Sequence, residues 1–306
     1  MKSNSVLLFP GLDSLFLASK LKRWIEIPKV RNSLIEASGY LSSMTGIHEN
    51  LESFLMTTTR PHLADFDRSM IALMAVQIGI ARALGEVKQW DLILGCSHGD
   101  LARSVTAQAV QYADAVELVW SFSELKKQLP QGYTANVRTV DGSKLSIEQI
   151  KWLEVDQQLP VSRWCENNAS VAGFREDLDR AAAHSRELGI KIKPVLPLPV
   201  HSPVMRSIAE NLRYVLPMTK LSEPKWPLFS SVWVRFLTGR EEIQEEAVWG
   251  AFSPVRWLES VQSLIRDHGI TEFINVGPSN ALTGWALTTP GMKFVDAWEI
   301  LGDGNA

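Results

Sequence analysis

The stretch DLILGCSHGD, residues 91–100, joins a short buried-strand pattern to the serine motif G-x-S-x-G. Residues 92–94 form an apolar run, and the motif follows at once with Ser97 at its centre. Glycines two residues before and two residues after the serine permit a sharp strand-to-helix turn, which exposes the hydroxyl at a helix N-terminus. Backbone N–H groups there can stabilise an oxyanion. The stretch therefore predicts a nucleophile elbow with Ser97 as the nucleophile.

Two alternatives stay open at this motif. Ser97 could be a structural turn residue, because five-residue patterns also occur by chance. Cys96 is a rival nucleophile, since a thiolate is intrinsically stronger and a helix N-terminus lowers a thiol pKa. An elbow presents its central residue, however, so we expect Cys96 to pack beside the strand as a small apolar side chain.

The patterns on both sides of this stretch alternate between strands and helices. Strands are predicted over 5–9, 91–94, 226–233 and 272–276, and helices over 24–43, 67–84 and 255–268. Such alternation indicates an α/β domain with a mainly parallel sheet. Between residues 130 and 196 the pattern changes to short strands and two charged helices. We therefore expect a discontinuous α/β core, residues 1–129 and 197–306, with an inserted small α+β subdomain at 130–196.

The bulk composition excludes several classes of protein. The chain has 306 residues, a net charge of −3 and a pI near 6.1, so it has no basic field for a nucleic-acid backbone. No apolar stretch reaches the roughly 20 residues that span a bilayer, and no signal-peptide pattern begins the chain. Two cysteines are too few for a disulfide framework. We expect a cytoplasmic monomer that binds neither nucleic acid nor membrane.

A serine nucleophile needs a positioned base, and the chain has 6 histidines. Solvent-exposed structural roles are expected for four of them: His48, His62, His184 and His268. His98 directly follows the nucleophile. His201 lies between the rigid run LPLPV, residues 196–200, and the run SPVM, residues 202–205, in a constrained loop that could hold an imidazole in place. The sequence therefore favours His201 as the base.

Four segments, in order and spanning nearly the whole chain, resemble those of the malonyl-CoA:acyl carrier protein transacylase family. They are FPG at residues 9–11, GCSHG at 95–99, PVHSPVM at 199–205, and a C-terminal signature made of SPVRW at 253–257, VGP at 276–278 and LTG at 282–284. The resemblance implies an α/β-hydrolase-like core with a mainly parallel sheet and an inserted small ferredoxin-like α+β subdomain. It also implies an acyltransferase of fatty-acid or polyketide biosynthesis with acyl carrier protein as partner.

The resemblance assigns roles to five positions. Ser97 and His201 form a catalytic dyad, the backbone carbonyl of Gly250 orients the histidine, and the N–H groups of Leu12 and His98 form the oxyanion hole. The family usually has glutamine at the position of Leu12, but a main-chain donor survives that exchange. No bound cofactor and no metal are implied, because the thioester substrate itself carries phosphopantetheine on acyl carrier protein or coenzyme A.

At Phe122 the chain departs from the family pattern in a way that bears on its acyl specificity. It aligns with the arginine that clamps the free carboxylate in malonyl-type members, so its presence argues against malonyl substrates. A shifted alignment with Arg138 as the cation is the alternative. By the same resemblance the substrate pocket includes Phe122, Cys96, Val200, Asn168 and Ser231. For Cys96, Asn168 and Ser231 a purely structural role is equally open.

Three functions are compatible with these residues. The first is transfer of a neutral acyl group from a thioester to Ser97 and then to a phosphopantetheine thiol. The second is hydrolysis of acyl carrier protein thioesters by an editing thioesterase, which uses the same dyad with water as acceptor. The third is a catalytically silent protein that docks a carrier protein, although the intact Ser97 and His201 argue against it.

Overall fold

A computed structural model of the chain describes residues 4–12, 22–58, 65–128, 131–278 and 290–302. The strands are β1 (Ser5–Phe9), β2 (Leu92–Gly95), β3 (Gly132–Thr139), β4 (Val161–Cys165), β5 (Asn168–Phe174), β6 (Ile190–Leu196), β7 (Leu228–Ser230), β8 (Arg235–Phe236), β9 (Glu272–Asn275) and β10 (Lys293–Asp296). The helices are α1 (Pro28–Thr45), α2 (Leu51–Thr57), α3 (Phe66–Leu84), α4 (Gly99–Thr106), α5 (Tyr112–Lys126), α6 (Ile147–Lys151), α7 (Arg175–Ser185), α8 (Arg206–Ala209), α9 (Leu212–Val215), α10 (Arg240–Phe252), α11 (Trp257–His268) and α12 (Ala297–Leu301).

The larger sheet has the strand order β10-β9-β1-β2-β7-β8. Strand β1 pairs in parallel with β2 and β9, while β7 and β10 extend the parallel part on the two sides. Strand β8 runs antiparallel to β7. All residues of β1 are buried, which is typical of a parallel strand covered on both faces. The predicted core with a mainly parallel sheet is confirmed.

The smaller sheet is antiparallel and has the strand order β4-β5-β3-β6. Helix α6 connects β3 to β4, and helix α7 connects β5 to β6. This β-α-β-β-α-β order with that strand arrangement is the ferredoxin-like motif. The predicted ferredoxin-like part is therefore confirmed as a fold.

The strands of the smaller sheet all lie between Gly132 and Leu196, whereas the strands of the larger sheet lie on both sides of that segment. The predicted boundary between residues 129 and 130 lies outside the described residues. The division into a core at 1–129 and 197–306 and a subdomain at 130–196 stays a prediction.

The strand predicted over 226–233 is shorter in the structure, because β7 ends at Ser230. The Ser230 Oγ accepts hydrogen bonds from the N–H groups of Val232 at 3.2 Å and Trp233 at 2.9 Å, which forms a turn. The Val234 N–H then donates to the Ser230 carbonyl at 3.0 Å, and the chain reverses into β8. Apolar residues in this turn imitate a strand pattern, which explains the difference.

Helix α3 is buried along nearly its whole length and packs against α1. A helix that is apolar on most sides belongs in a core, and here it lies under the helix α4 that follows the serine motif. Among the helices of the described segments, none is both long and apolar enough to cross a membrane.

The contact between α1 and α3 depends on Gly79. A Cβ atom built at Gly79 would lie 2.5 Å from the Cα of Val30 and 3.0 Å from the carbonyl oxygen of Lys29. Both of these atoms belong to the backbone of α1, so they cannot move without displacing that helix.

We predict that Gly79→Ala lowers the free energy of unfolding by about 1–3 kcal/mol, the usual cost of overpacking a core. The matched control is Gly39→Ala in α1, where a new Cβ meets nothing within 4 Å. There the better helix propensity of alanine should leave stability unchanged or raise it by up to about 1 kcal/mol. Urea unfolding of both variants measures the difference, and equal effects at the two glycines would contradict the packing argument.

Candidate active site

Ser97 lies in a sharp turn between the end of β2 and the start of α4. Its φ of 58° is in the left-handed region, which is strained for a residue with a side chain. The Cys96 N–H donates to the Phe9 carbonyl at 2.9 Å, and the Asp100 N–H donates to the Ser97 carbonyl at 2.9 Å. The turn is therefore held on both sides, as a nucleophile elbow requires.

The two glycines of the motif allow backbone segments to pass very close to each other. A Cβ built at Gly99 would lie 2.1 Å from the Phe9 carbonyl oxygen, and one built at Gly95 would lie 2.8 Å from the Cα of Asp100. Neither position accepts a side chain without moving the backbone. The close approach brings the loop after β1, and hence Leu12, next to the serine.

His201 and Ser97 lie in direct contact although 104 residues separate them. The His201 Nε2 is 2.6 Å from the Ser97 Oγ, and its Nδ1 is 2.6 Å from the carbonyl oxygen of Gly250. The His201 N–H also donates to the Ala251 carbonyl at 3.0 Å. The histidine, itself at a φ of 57°, is thus fixed to the C-terminal end of α10 by its backbone and by its ring.

The hydrogen bond to Gly250 determines which nitrogen of His201 carries a proton. A carbonyl oxygen only accepts, so Nδ1 must be the donor. Burial lowers the pKa of His201 to about 4, with the nearby charge of Arg163 lowering it further and the Gly250 carbonyl opposing the shift. At neutral pH the ring is therefore neutral, and Nε2 accepts a hydrogen bond from the Ser97 hydroxyl.

His98 is held by a bond of its own. Its Nε2 lies 2.9 Å from the carbonyl oxygen of Met70 in α3, and burial lowers its pKa to about 4. Its backbone N–H stands at the start of α4, directly after the serine. On the opposite side, the buried Gln77 donates from Nε2 to the Pro10 carbonyl at 2.6 Å. These two contacts with α3 therefore fix the segments that carry Leu12 and His98.

Two cavities meet at Ser97 and His201. The first, which we call the apolar cavity, has a volume of about 180 Å³. Its apolar lining comes mainly from α4, α5, α9, α10 and the His201 loop and includes Leu101, Val110, Leu118, Val119, Phe122, Leu198, Val200, Met205, Leu212, Leu216 and Ile243. Such a lining suits a hydrocarbon chain.

The second, which we call the polar cavity, has a volume of about 590 Å³ and lies beside the smaller sheet. Its polar lining includes Thr134, Asn136, Arg138, Ser162, Arg163, Asn168, Ser170 and Lys193. Leu12, Ser97, Val200 and His201 line both cavities. The serine hydroxyl is therefore reached from an apolar side and from a polar, basic side.

The predicted pocket residues divide between these cavities. Phe122 lines the apolar cavity, Cys96 and Asn168 line the polar cavity, and Val200 lines both. Cys96 is fully buried, and Arg163 donates to its sulfur at 3.8 Å from Nη1. Ser231 lines neither cavity. It is fully buried in the turn after β7, where its carbonyl accepts from the Arg256 N–H at 2.7 Å.

One group of charged residues in the apolar cavity has no counterpart in the sequence-based expectations. Arg103 and Glu246 form a buried ion pair, and Arg103 Nη1 also lies 3.3 Å from the Asp100 Oδ1. Burial raises the pKa of Asp100 well above its usual range, with Arg103 opposing the shift. In the sequence this cluster could be inferred only from the three-residue spacing of Asp100 and Arg103. Glu246 is 143 residues from Arg103, so its part in the cluster leaves no local pattern.

The remaining candidates lie apart from Ser97 or outside the described residues. His48, His184 and His268 are exposed, as expected. His62 and the segment 282–284 of the C-terminal signature lie outside the described part of the chain. The segment 276–278 of that signature does meet the first motif, because a Cβ built at Gly277 would lie 2.1 Å from the Cγ of Pro10.

Comparison with known proteins relates this geometry to a family. The model of the acyl transferase domain matches residues 27–292. The malonyl CoA-acyl carrier protein transacylase of Bacillus subtilis (strain 168) is 26% identical over 291 residues, which covers 92% of this chain and 89% of that protein. The enzyme of the same name from Staphylococcus aureus (strain MRSA252) is 28% identical and covers 75% of this chain and 76% of its own length.

Solved structures show the same fold. The malonyl CoA-acyl carrier protein transacylase of Coxiella burnetii has a TM-score of 0.84 at 21% identity and covers 97% of this chain and 94% of its own. A malonyl-transacylase in complex with its type II PKS acyl-carrier protein has a TM-score of 0.83 at 24% identity and covers 96% of both chains. The family match spans most of the chain, and the chain therefore belongs to the acyl transferase domain family.

Proposed function

We propose that this acyltransferase moves an uncharged acyl group from an acyl carrier protein or coenzyme A thioester to a phosphopantetheine thiol, through an ester on Ser97. The observation that carries the proposal is the hydrogen-bonded chain from Ser97 Oγ through His201 to the Gly250 carbonyl, whose three residues line the apolar cavity. The acyl carrier protein enters as partner because the curated relatives are named as acyl carrier protein transacylases.

The reaction consists of two similar halves. The Ser97 Oγ attacks the thioester carbonyl while its proton passes to His201 Nε2, and the intermediate then expels the thiolate, which takes that proton. In the second half an acceptor thiol gives its proton to His201 and attacks the ester, and the proton returns to Ser97. The N–H groups of Leu12 and His98 stabilise the oxyanion in both halves.

Charges around the apolar cavity support an uncharged acyl group. Among the described lining residues Arg103 is the one arginine or lysine, and it is already paired with Glu246 and close to Asp100. A substrate carboxylate in this cavity would have to share the Arg103 guanidinium with the carboxylates of Glu246 and Asp100. An unpaired buried carboxylate costs about 3–5 kcal/mol, and Phe122 offers no compensating hydrogen bond.

Malonyl transfer is the second candidate, and two observations favour it. The curated relatives are named as malonyl CoA-acyl carrier protein transacylases. In addition, Arg163 and Arg138 line the polar cavity on the other side of Ser97, and Arg163 is close enough to lower the pKa of His201. In this alternative the malonyl carboxylate binds in the polar cavity.

Two variants test the dyad. Ser97→Ala should abolish the covalent acyl adduct and fluorophosphonate labelling while the fold is kept, because only the nucleophile is removed. His201→Ala should slow acylation by about 10²–10⁴, the range of a general base. Intact mass spectrometry measures both, and His184→Ala, an exposed histidine in α7, is the matched control. An adduct that persists in Ser97→Ala would move the nucleophile to Cys96, and no labelling of the unmodified protein would favour a silent docking protein.

The pH dependence of labelling tests the state of His201. Protonated His201 cannot accept the serine proton, so the rate constant falls as pH drops through the pKa of this residue. With that pKa at about 4, labelling should keep its plateau down to a pH of about 5 and decline below it. An ordinary histidine would give a midpoint near 6.5. NMR titration of the ring, assigned with His201→Asn, measures the pKa directly, and a midpoint near 6.5 in both experiments would contradict the buried neutral ring.

Acyl specificity is tested by loading acetyl, longer alkanoyl and malonyl thioesters onto Ser97. We expect neutral groups to load at least about a hundredfold more efficiently than malonyl, which corresponds to about 2.7 kcal/mol. Phe122→Arg should narrow this gap by adding a partner for the carboxylate, whereas the control Phe122→Leu should not. Efficient malonyl loading that is lost in Arg163→Met would instead establish the second candidate. The same time courses without an acceptor thiol separate transfer from hydrolysis.

A further inference from the structure

The ion pair between Arg103 and Glu246 joins the two helices on which the dyad depends. Arg103 lies in α4, the helix that begins at the serine turn. Glu246 lies in α10, four residues before Gly250. Their side chains are 1% and 3% exposed, and Arg103 Nη2 donates to Glu246 Oε2. The pair therefore connects the nucleophile helix directly to the histidine-orienting helix.

Arg103 also binds the larger sheet. Its Nη1 donates to the carbonyl oxygen of Phe229 in β7 at 2.8 Å. One guanidinium thus contacts α10 through a carboxylate and β7 through the backbone. The N–H donors of a guanidinium point in fixed directions within one plane. The two contacts together therefore fix the position of α4 relative to α10 and β7.

The geometry of the dyad depends on the distance between these helices. His201 is attached to α10 through Gly250 and Ala251, while Ser97 is attached to α4 through the serine turn. A shift of α4 relative to α10 therefore changes the distance from Ser97 Oγ to His201 Nε2. A displacement of about 1 Å in such an arrangement can reduce a rate by about a hundredfold.

We propose that Arg103 and Glu246 are positioning residues, which hold α4 against α10 and thereby set the hydrogen bond between Ser97 and His201; this inference rests on the dyad proposed above. Stability alone does not account for the pair. A buried ion pair can often be replaced by apolar residues of similar volume without loss of stability. Both residues line the apolar cavity, but among the described hydrogen bonds and ion pairs neither contacts Ser97 or His201, and neither is among the groups that shift the pKa of His201.

The test measures fluorophosphonate labelling of Ser97 in the full chain, with separate determination of the limiting rate constant and the probe affinity. The main variant is Arg103→Met with Glu246→Met, which removes both charges at similar volume. The matched control is Arg213→Met with Glu245→Met. That pair also joins an arginine to a glutamate of α10, but it does not involve α4.

The main variant should still fold, although the Phe229 carbonyl loses its donor, and should lose at least about tenfold in limiting rate constant, with probe affinity unchanged within about threefold. Glu246→Gln, which keeps one hydrogen bond from Arg103, should lose less. The control should label like the unmodified protein. A limiting rate constant within about twofold of the unmodified protein in the main variant would overturn the proposal.

Two further outcomes remain interpretable. Should the double methionine variant not fold, Glu246→Gln and Arg103→Lys decide, because each weakens the link but keeps a hydrogen bond between α4 and α10; normal limiting rate constants in both would overturn the proposal. Absence of labelling in the unmodified protein would overturn the proposed dyad itself. Normal labelling there and in all variants would overturn the positioning role alone.

Discussion

The backbone of Ser97 is held at a φ of 58°, and the contacts that hold it shape the whole active site. A serine whose backbone lies in the left-handed region costs about 1–3 kcal/mol, so the residues around it must prevent other backbone conformations. Gly99 supplies this constraint, because it lies so close to the Phe9 carbonyl that no Cβ atom fits between them. The parallel pairing of β1 with β2 then fixes how the loop after β1 meets the serine.

A second strained residue faces the first. His201 also has a positive φ, of 57°, and its backbone is bonded to the end of α10. Two strained residues from distant parts of the chain therefore meet at a single hydrogen bond of 2.6 Å. If the backbone of either Ser97 or His201 relaxed alone, that hydrogen bond would be lost. The reaction therefore depends on the rigidity of α4, α10 and β7. The buried ion pair between Arg103 and Glu246 and the hydrogen bond from Arg103 to Phe229 join these same elements.

The sequence predicted those features that have a local signal. The serine turn could be predicted because glycine spacing and an apolar run determine it within ten residues. His201 was favoured by its proline-rich loop, but Gly250 could be assigned only through family resemblance, since a backbone carbonyl leaves no side-chain signal. The Arg103–Glu246 pair was missed because its partners are 143 residues apart and each alone resembles an ordinary helical surface charge. The resemblance places Ser231 in the pocket with a structural role equally open, and the structure buries Ser231 in a local turn outside the lining of both cavities.

The partner of the His201 ring is a backbone carbonyl rather than a carboxylate, which agrees with the chemistry of a thioester. A carboxylate would stabilise the imidazolium strongly, whereas the Gly250 carbonyl leaves a buried ring whose pKa is about 4. Such a ring is a weak base in the resting enzyme, but a developing oxyanion beside it favours its protonation. In the first half-reaction the leaving group is a thiolate, which departs with little help from an acid because thiols are acidic groups, with a pKa of about 8.5 for cysteine. In the second half-reaction the leaving group is the Ser97 alkoxide, which must be protonated, and a ring whose pKa is about 4 donates readily once it has taken the proton of the acceptor thiol. The carbonyl-oriented histidine is therefore sufficient for exchange between thiols, in which the donor and the acceptor are chemically alike.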